Sequence, residues 1–225
     1  MKSNIAVLNL IMNSNGEPKV INPTLIWDEE EVVLVDAGVP GQLDVIRNEM
    51  NKLGVSFNRL TKVIITHHDL DHIGSLPEII GAAEQKIDVL AHRLAKPYIE
   101  GEKRLLKLKD PKVVPPKAHV DQTVEDDDVL PECGGIKVIF TPGHTPDHIS
   151  LYHIESKTLI AGDATIAVNG ELRGPNPQYT LNMKEAYQSI GKLLSNETNQ
   201  IICYHGGICQ GSEKQRLEEL YHANA

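Results

Sequence analysis

An α/β sandwich with helices covering its sheets is the fold class predicted for this 225-residue chain. Three observations predict it. Short β-branched runs recur in both halves and alternate with helical segments, as in Lys62-Val-Ile-Ile-Thr66 and Asn199 to Tyr204. The composition, 40% hydrophobic and 24% charged, is that of one ordinary globular domain with a sizeable core. No Ser/Pro-rich linker, low-complexity tract or heptad run interrupts it, so residues 1–225 are expected to form a single domain.

Taken in order, Ile5 to Met12 alternates loosely, Thr24 to Trp27 is a short apolar run, and Glu31-Val-Val-Leu-Val-Asp36 closes on Ala37-Gly38, together predicting an N-terminal β-meander. From Gln42 to Leu53, the residues Leu43, Ile46, Met50 and Leu53 form the stripe of an amphipathic helix that Gly54 caps. Lys62 to Thr66 reads as a buried strand, Ser75 to Ala83 as a short helix and Asp88 to Ala91 as a strand. The basic stretch Leu94 to Leu108 is predicted to be helical, leading into the Pro-rich loop from Lys112 to Lys117. Strands are then expected over Gly135–Thr141, Ile149–Ile154 and Thr158–Ala161, followed by a Gly/Pro loop from Asn169 to Tyr179. Asn182 suits the N-cap of a helix from Met183 to Leu194, and a C-terminal helix is expected over Ser212–His222.

Several function classes are excluded by composition. Lys plus Arg number 22 against 31 Asp plus Glu, and a net charge of −9 repels phosphate backbones, so nucleic-acid binding is not expected. No run approaches the roughly 18 apolar residues of a membrane span. The first residues, MKSNIAVLNLIMNSNGEP, do not read as a signal peptide, which makes a cytoplasmic location the expectation. Cys133, Cys203 and Cys209 form no C-x-x-C pair and read as buried small hydrophobes. Ten histidines beside two Phe and one Trp are unusual.

Many of those histidines stand at strand ends. Val63 to Thr66 runs into His67-His68-Asp69-Leu70-Asp71-His72, Val138 to Thr141 into Pro142-Gly143-His144, Leu159 to Ala161 into Gly162-Asp163, and Ile201 to Tyr204 into His205. Each run places a metal-competent side chain just past a strand's carboxyl end, where loops can converge on one point. Alternate residues of an extended His67-x-Asp69-x-Asp71 turn point one way, and imidazole with carboxylate suits zinc, iron or manganese. His148 reads as a support for the His144 loop and Asp36 as a turn residue supporting the ligand loops, while His92, His119, His153 and His222 read as surface or structural. No G-x-S-x-G nucleophile motif is present.

In these motifs the sequence resembles the metallo-β-lactamase fold hydrolases, which include glyoxalase II-like thioesterases and N-acyl-homoserine lactonases. The residues that carry the resemblance are Thr66-His67-His68-Asp69-Leu70-Asp71-His72-Ile73-Gly74, Thr141-Pro142-Gly143-His144-Thr145-Pro146-Asp147-His148, Gly162-Asp163, His205, and the early Val35-Asp36-Ala37-Gly38. The resemblance implies an αββα four-layer sandwich and two divalent metal ions, zinc first, with iron or manganese as alternatives. His67, Asp69 and His144 would hold the first ion, Asp71, His72 and His205 the second, and Asp163 would bridge. The implied reaction is hydrolysis of a small ester, thioester or lactone by a metal-bridging hydroxide, with Asp71 also relaying the proton. The runner-up reading is a lactonase of the N-acyl-homoserine-lactone type, and the alternative class is a mononuclear iron persulfide dioxygenase.

One departure stands out: Asp69 occupies the place of the family's second His. A third carboxylate lowers the net charge of a two-metal site, which implies a weaker Lewis acid and more tolerance for Mn²⁺ or Fe²⁺. His68 is the alternative ligand at this point, although adjacent side chains of an extended segment point apart. Length adds a further expectation. The chain has no room for the inserted domain of nucleic-acid-processing members, the C-terminal helical domain of glyoxalase II or a flavin domain, so a small-molecule substrate is implied. Leu94 to Lys109 and Asn169 to Tyr179, with Arg173 and Tyr179, are the candidate cleft walls. A homodimer is the base-rate expectation for such a domain.

Overall fold

The computed structural model describes residues 2–14, 16–209 and 213–224. Along the chain, β1 (Asn4–Val7), β2 (Leu10–Ser14), β3 (Glu17–Ile21), β4 (Thr24–Trp27) and β5 (Val32–Val35) precede α1 (Leu43–Lys52). Then come β6 (Lys62–Ile65), α2 (Leu70–Ile73), α3 (Leu76–Ala82), β7 (Asp88–His92), α4 (Lys96–Ile99) and β8 (Gln122–Val124). The second half holds β9 (Val129–Leu130), β10 (Ile136–Phe140), β11 (Ile149–His153), β12 (Thr158–Gly162), β13 (Ile166–Val168), β14 (Glu171–Arg173), α5 (Met183–Leu193), β15 (Gln200–Cys203), β16 (Gly207–Ile208) and α6 (Glu213–Asn224).

Two six-stranded sheets result, ordered β1-β4-β5-β6-β7-β8 and β16-β15-β12-β11-β10-β9, and both mix parallel and antiparallel pairs. The period-2 pattern of each strand splits its apolar residues between two faces. Leu34, Val63, Ile65 and Val89 face outward onto Ile46 and Met50 of α1 and Leu76 and Ile79 of α3. Their neighbours Val33, Val35, Ile64 and Leu90 turn inward to meet Ile136, Val138, Leu151 and Ile160 of the second sheet. On the far side Leu159, Ala161 and Ile201 pack against Ile190 and Leu193 of α5 and Leu217 of α6. The layers therefore run α, β, β, α, as the resemblance implied. Among the described residues no helix is long and apolar enough to cross a membrane.

Several elements differ from expectation. The run Ile5 to Met12 is two strands, broken at Leu8 and Asn9, where Leu8 N–H donates to Pro23 O and Asn9 N–H to Glu49 Oε2. Its second half pairs with β3, an exposed strand with no apolar alternation to betray it. Leu94 to Leu108 is helical only over the single turn of α4, because Pro97 suits only a first turn and Gly101 adopts φ +74°, a helix-ending conformation. The loop from Asn169 contains β14, and Asn169-Gly170, both at positive φ, form the two-residue turn of a β13–β14 hairpin. The Asn182 side chain caps α5 by accepting from Glu185 N–H at 3.2 Å. The expected start of the C-terminal helix, Ser212, lies outside the described residues.

Candidate metal centre

The strand-end side chains converge at one end of the two sheets. His67 follows β6 of the first sheet, while His144, Asp163 and His205 follow β10, β12 and β15 of the second. A hydrogen bond from Ile149 N–H to Thr66 O, 2.9 Å, ties the two sheets together beside the cluster. The His67–His72 segment is extended through Asp69 (φ −65°, ψ 148°) and then winds into α2, so only its first half is the extended turn expected. His67 and Asp69 project from extended backbone, and Asp71 and His72 from the helical turn.

Three groups of ligand-type atoms each lie within 4.8 Å: His67, Asp69 and His144; His67, His72 and Asp163; and Asp71, His72 and His205. Asp163 sits among them, with Oδ2 at 3.2 Å from His144 Nε2 and 3.4 Å from His205 Nε2, and Oδ1 at 3.6 Å from His72 Nε2. All seven residues picked out in the sequence are thus brought together. His68 is not among them: its Nδ1 lies 2.6 Å from Asp147 Oδ1, its ring stacks on Tyr98, and its Nε2 accepts from Leu106 N–H at 3.3 Å.

Buried supports orient the imidazoles. Asp36, 1% exposed, accepts from Thr66 N–H, the Thr66 hydroxyl and His72 Nδ1–H, each at 2.8 Å. Because the Thr66 hydroxyl gives its one proton to Asp36, His67 Nδ1 must donate to the Thr66 oxygen, 3.1 Å away. In the neutral form of either imidazole, Nε2 is then the lone-pair nitrogen, and in both it is aimed into the cluster. His148 serves the opposite side: its Nε2 accepts from Asp163 N–H at 2.9 Å and its Nδ1 lies 2.8 Å from Thr141 Oγ1. Gly162 makes this approach feasible, since a Cβ there would lie 2.7 Å from His148 Nε2. His92 and His153 are buried structural groups, bonded to Glu125 and to Cys133 O respectively, whereas His119 and His222 are exposed.

The electrostatics divide the cluster. Burial, reinforced by His72 beside it, holds His67 well below the usual imidazole range. Burial opposes protonation of His72 too, but Asp36, Asp163 and Asp71 outweigh it and raise that residue well above the usual value. His205 rises to about 10 against its own burial because Asp163 and Asp71 face it. Burial pushes Asp69 and Asp163 up, yet surrounding cationic groups hold both carboxyls well below their ordinary range. This is a pocket that stabilises positive charge.

The donor set fits a divalent metal. His67 Nε2, His72 Nε2 and Asp163 Oδ1 are buried without a hydrogen-bond partner, a costly condition that a shared cation relieves. One contact was not anticipated. Lys107 Nζ reaches into the cluster, 2.6 Å from Asp69 Oδ2 and 2.7 Å from His144 Nε2. The excess of basic residues between Leu94 and Lys109 was legible, but nothing in their spacing singled out Lys107. Of the other candidate wall residues, Arg173 pairs with Glu171 on its own hairpin, while Tyr179 is 40% exposed in the loop whose Leu181 N–H donates to His144 O.

Residues 16–205 match the family model of the metallo-beta-lactamase superfamily. The probable metallo-hydrolase YflN of Bacillus subtilis (strain 168) is 32% identical over 201 residues, which covers 77% of this chain and 75% of that one. A hydroxyacylglutathione hydrolase of Rhodopseudomonas palustris (strain HaA2) is 31% identical over 112 residues, or 49% of this chain and 36% of that one. A metallo-beta-lactamase family protein from Thermus thermophilus, TTHA1429, shares the fold with a TM-score of 0.74, over 97% of this chain and 78% of that one at 22% identity. The chain belongs to the metallo-beta-lactamase superfamily. It is a hydrolase of the metal-dependent class that this superfamily defines.

Proposed function

We propose that the strand-end cluster binds divalent metal, zinc first and iron or manganese as alternatives, and hydrolyses a small ester, thioester or lactone. The observation that supports this best is the convergence of seven imidazoles and carboxylates with three buried, unbonded ligand atoms among them. His67, Asp69 and His144 would hold one ion, Asp71, His72 and His205 a second, and Asp163 would serve both. A metal held there would supply a water of lowered pKa, toward about 7, and a Lewis acid for a substrate carbonyl.

The chain's own groups do the rest. Asp36 and Thr66 accept from the Nδ1–H of His72 and His67 and so aim the Nε2 atoms into the cluster. Asp71 is the partly exposed carboxylate of the cluster, its main-chain carbonyl held by the Tyr204 hydroxyl, and its Oδ2 is placed to take the proton of an attacking water. His205, 30% exposed at its side chain, marks the open side from which substrate enters. The partial similarity to a hydroxyacylglutathione hydrolase supports a thioester within this class.

Chelator-treated protein, supplied separately with Zn²⁺, Mn²⁺ and Fe²⁺, is to be assayed on aryl esters, acyl thioesters and lactones. Turnover should return with metal and fall at least about 100-fold in Asp71→Asn, the scale of a lost acid–base group. No metal-dependent turnover on any member of the panel, with Asp163→Asn indistinguishable from the parent, would contradict the reading.

A further inference from the structure

The two halves of the cluster differ in one respect. Among the described residues, the charged or basic side chains within 4 Å of the Asp71 and Asp163 carboxylates are histidines alone, His72, His144 and His205. Asp69 faces His67 and His144 and, in addition, is ion-paired with the ammonium of Lys107. An ammonium has three protons and no lone pair, so at 2.7 Å it must donate to His144 Nε2, as it does to Asp69 Oδ2 at 2.6 Å. These are two of the three donor atoms of the proposed first metal triad. A divalent ion held by the same oxygen and nitrogen would lie about 2.0–2.2 Å from each, within the volume the ammonium fills. Lys107 and that ion therefore exclude one another.

The position of Lys107 is built into the fold. Leu105 is buried in the core of the first sheet, and Leu106 N–H donates to His68 Nε2. His68 is itself locked by Asp147 and by stacking on Tyr98, ring centroids 4.1 Å apart. A segment pinned on the residue before Lys107, with Leu108 packed against the core on the residue after, holds the lysine stem over Asp69. The charges agree with this placement. Asp69, Asp71 and Asp163 carry three negative charges, which one divalent ion plus one ammonium balance.

We infer that Lys107 is a tethered cation that competes with metal for the His67–Asp69–His144 half-site, leaving the half-site of Asp71, His72, His205 and Asp163 as the high-affinity one. This inference rests on the proposed metal centre and extends it: the first half-site fills only when Lys107 is displaced, so the two ions bind with unequal affinity. Asp69 takes part in this device as the carboxylate that holds the ammonium.

The test is a calorimetric Zn²⁺ titration of the metal-stripped full chain, with the bound equivalents counted by native mass spectrometry. The parent should bind one equivalent tightly and a second far more weakly. Lys107→Met keeps the aliphatic stem and removes the charge, and it should tighten the weaker equivalent at least tenfold while leaving the tighter one within about threefold, given charge-assisted hydrogen bonds of the usual strength. Asp69→His, which swaps the carboxylate for a neutral donor that cannot hold the ammonium, should also tighten the weaker equivalent and covers the case in which Lys107→Met folds poorly. Two equally tight equivalents in the parent, or a weaker equivalent unchanged in both variants, overturns the inference. Because the readout is zinc binding, either result leaves the hydrolase reading standing, whereas zinc binding by no form of the protein overturns both.

Discussion

Replacing Asp36 by asparagine isolates the contribution of a single buried carboxylate to the metal centre. Asp36 adopts φ +64°, a conformation that asparagine tolerates better than most residues, so the variant keeps the turn. Its amide oxygen can still accept from Thr66 N–H, but the amide nitrogen then faces His72 Nδ1–H, donor against donor, at a contact that is now 2.8 Å. To escape, His72 must move its proton to Nε2, the atom aimed at the cluster. Loss of such a support typically lowers metal affinity about 10- to 100-fold, which is about 1.4–2.7 kcal/mol. One mismatched buried donor costs a further ~1–3 kcal/mol of folding stability, a fall in Tm of about 2–12 °C for a chain of this size. Competition with a chromophoric zinc chelator reads the first quantity and a thermal melt the second. Zinc affinity within twofold of the parent and an unchanged Tm would refute the support network as drawn.

Other perturbations reach different parts of the account. His68→Ala leaves buried Asp147 with the residue-68 N–H but without its imidazole partner and frees the segment carrying Lys107; it should cost about 1–3 kcal/mol by denaturant titration and raise KM more than it alters zinc affinity at the tighter site. Gly143→Ala should lower Tm by several degrees or abolish soluble expression, because Gly143 has φ +131° and a Cβ there would lie 2.2 Å from Ala186 N. In the metal-free protein His148 is held down to about 3 by burial, so the stability it contributes is present above about pH 6.5 and lost as pH falls toward 3. His205 acts with the opposite sign: raised to about 10, it stabilises the metal-free fold below about pH 6.5 and ceases to do so as pH rises through 10. Urea midpoints across pH for the parent, His148→Gln and His205→Ala check both slopes, and a variant whose profile parallels the parent's contradicts its assignment.

Much of the fold was legible because each buried strand is a short β-branched run and each covering helix carries an apolar stripe, local patterns that survive into the tertiary structure. The candidate site was legible for a related reason. Its side chains follow strand ends directly, so sequence position and spatial convergence coincide at His67, His144, Asp163 and His205. Legibility failed where tertiary contacts decide. The hairpin strand Glu17–Ile21 is exposed along most of its length and shows no alternation. The Asn169-Gly170 turn carried a hairpin signal that was masked by the prolines after it. The stretch from Leu94 to Leu108 has helical spacing, yet Pro97 and Gly101 stop it after one turn and the rest bends over the cluster. Lys107 enters the site only through that bend, and no periodicity encodes it.

Anomalous diffraction from zinc-loaded crystals at the zinc edge tests the central claim most directly. The account predicts a peak enclosed by Asp71 Oδ2, His72 Nε2, His205 Nε2 and the Asp163 carboxylate. A peak bound elsewhere on the chain, or none at this cluster in protein that still hydrolyses its substrate, would contradict it.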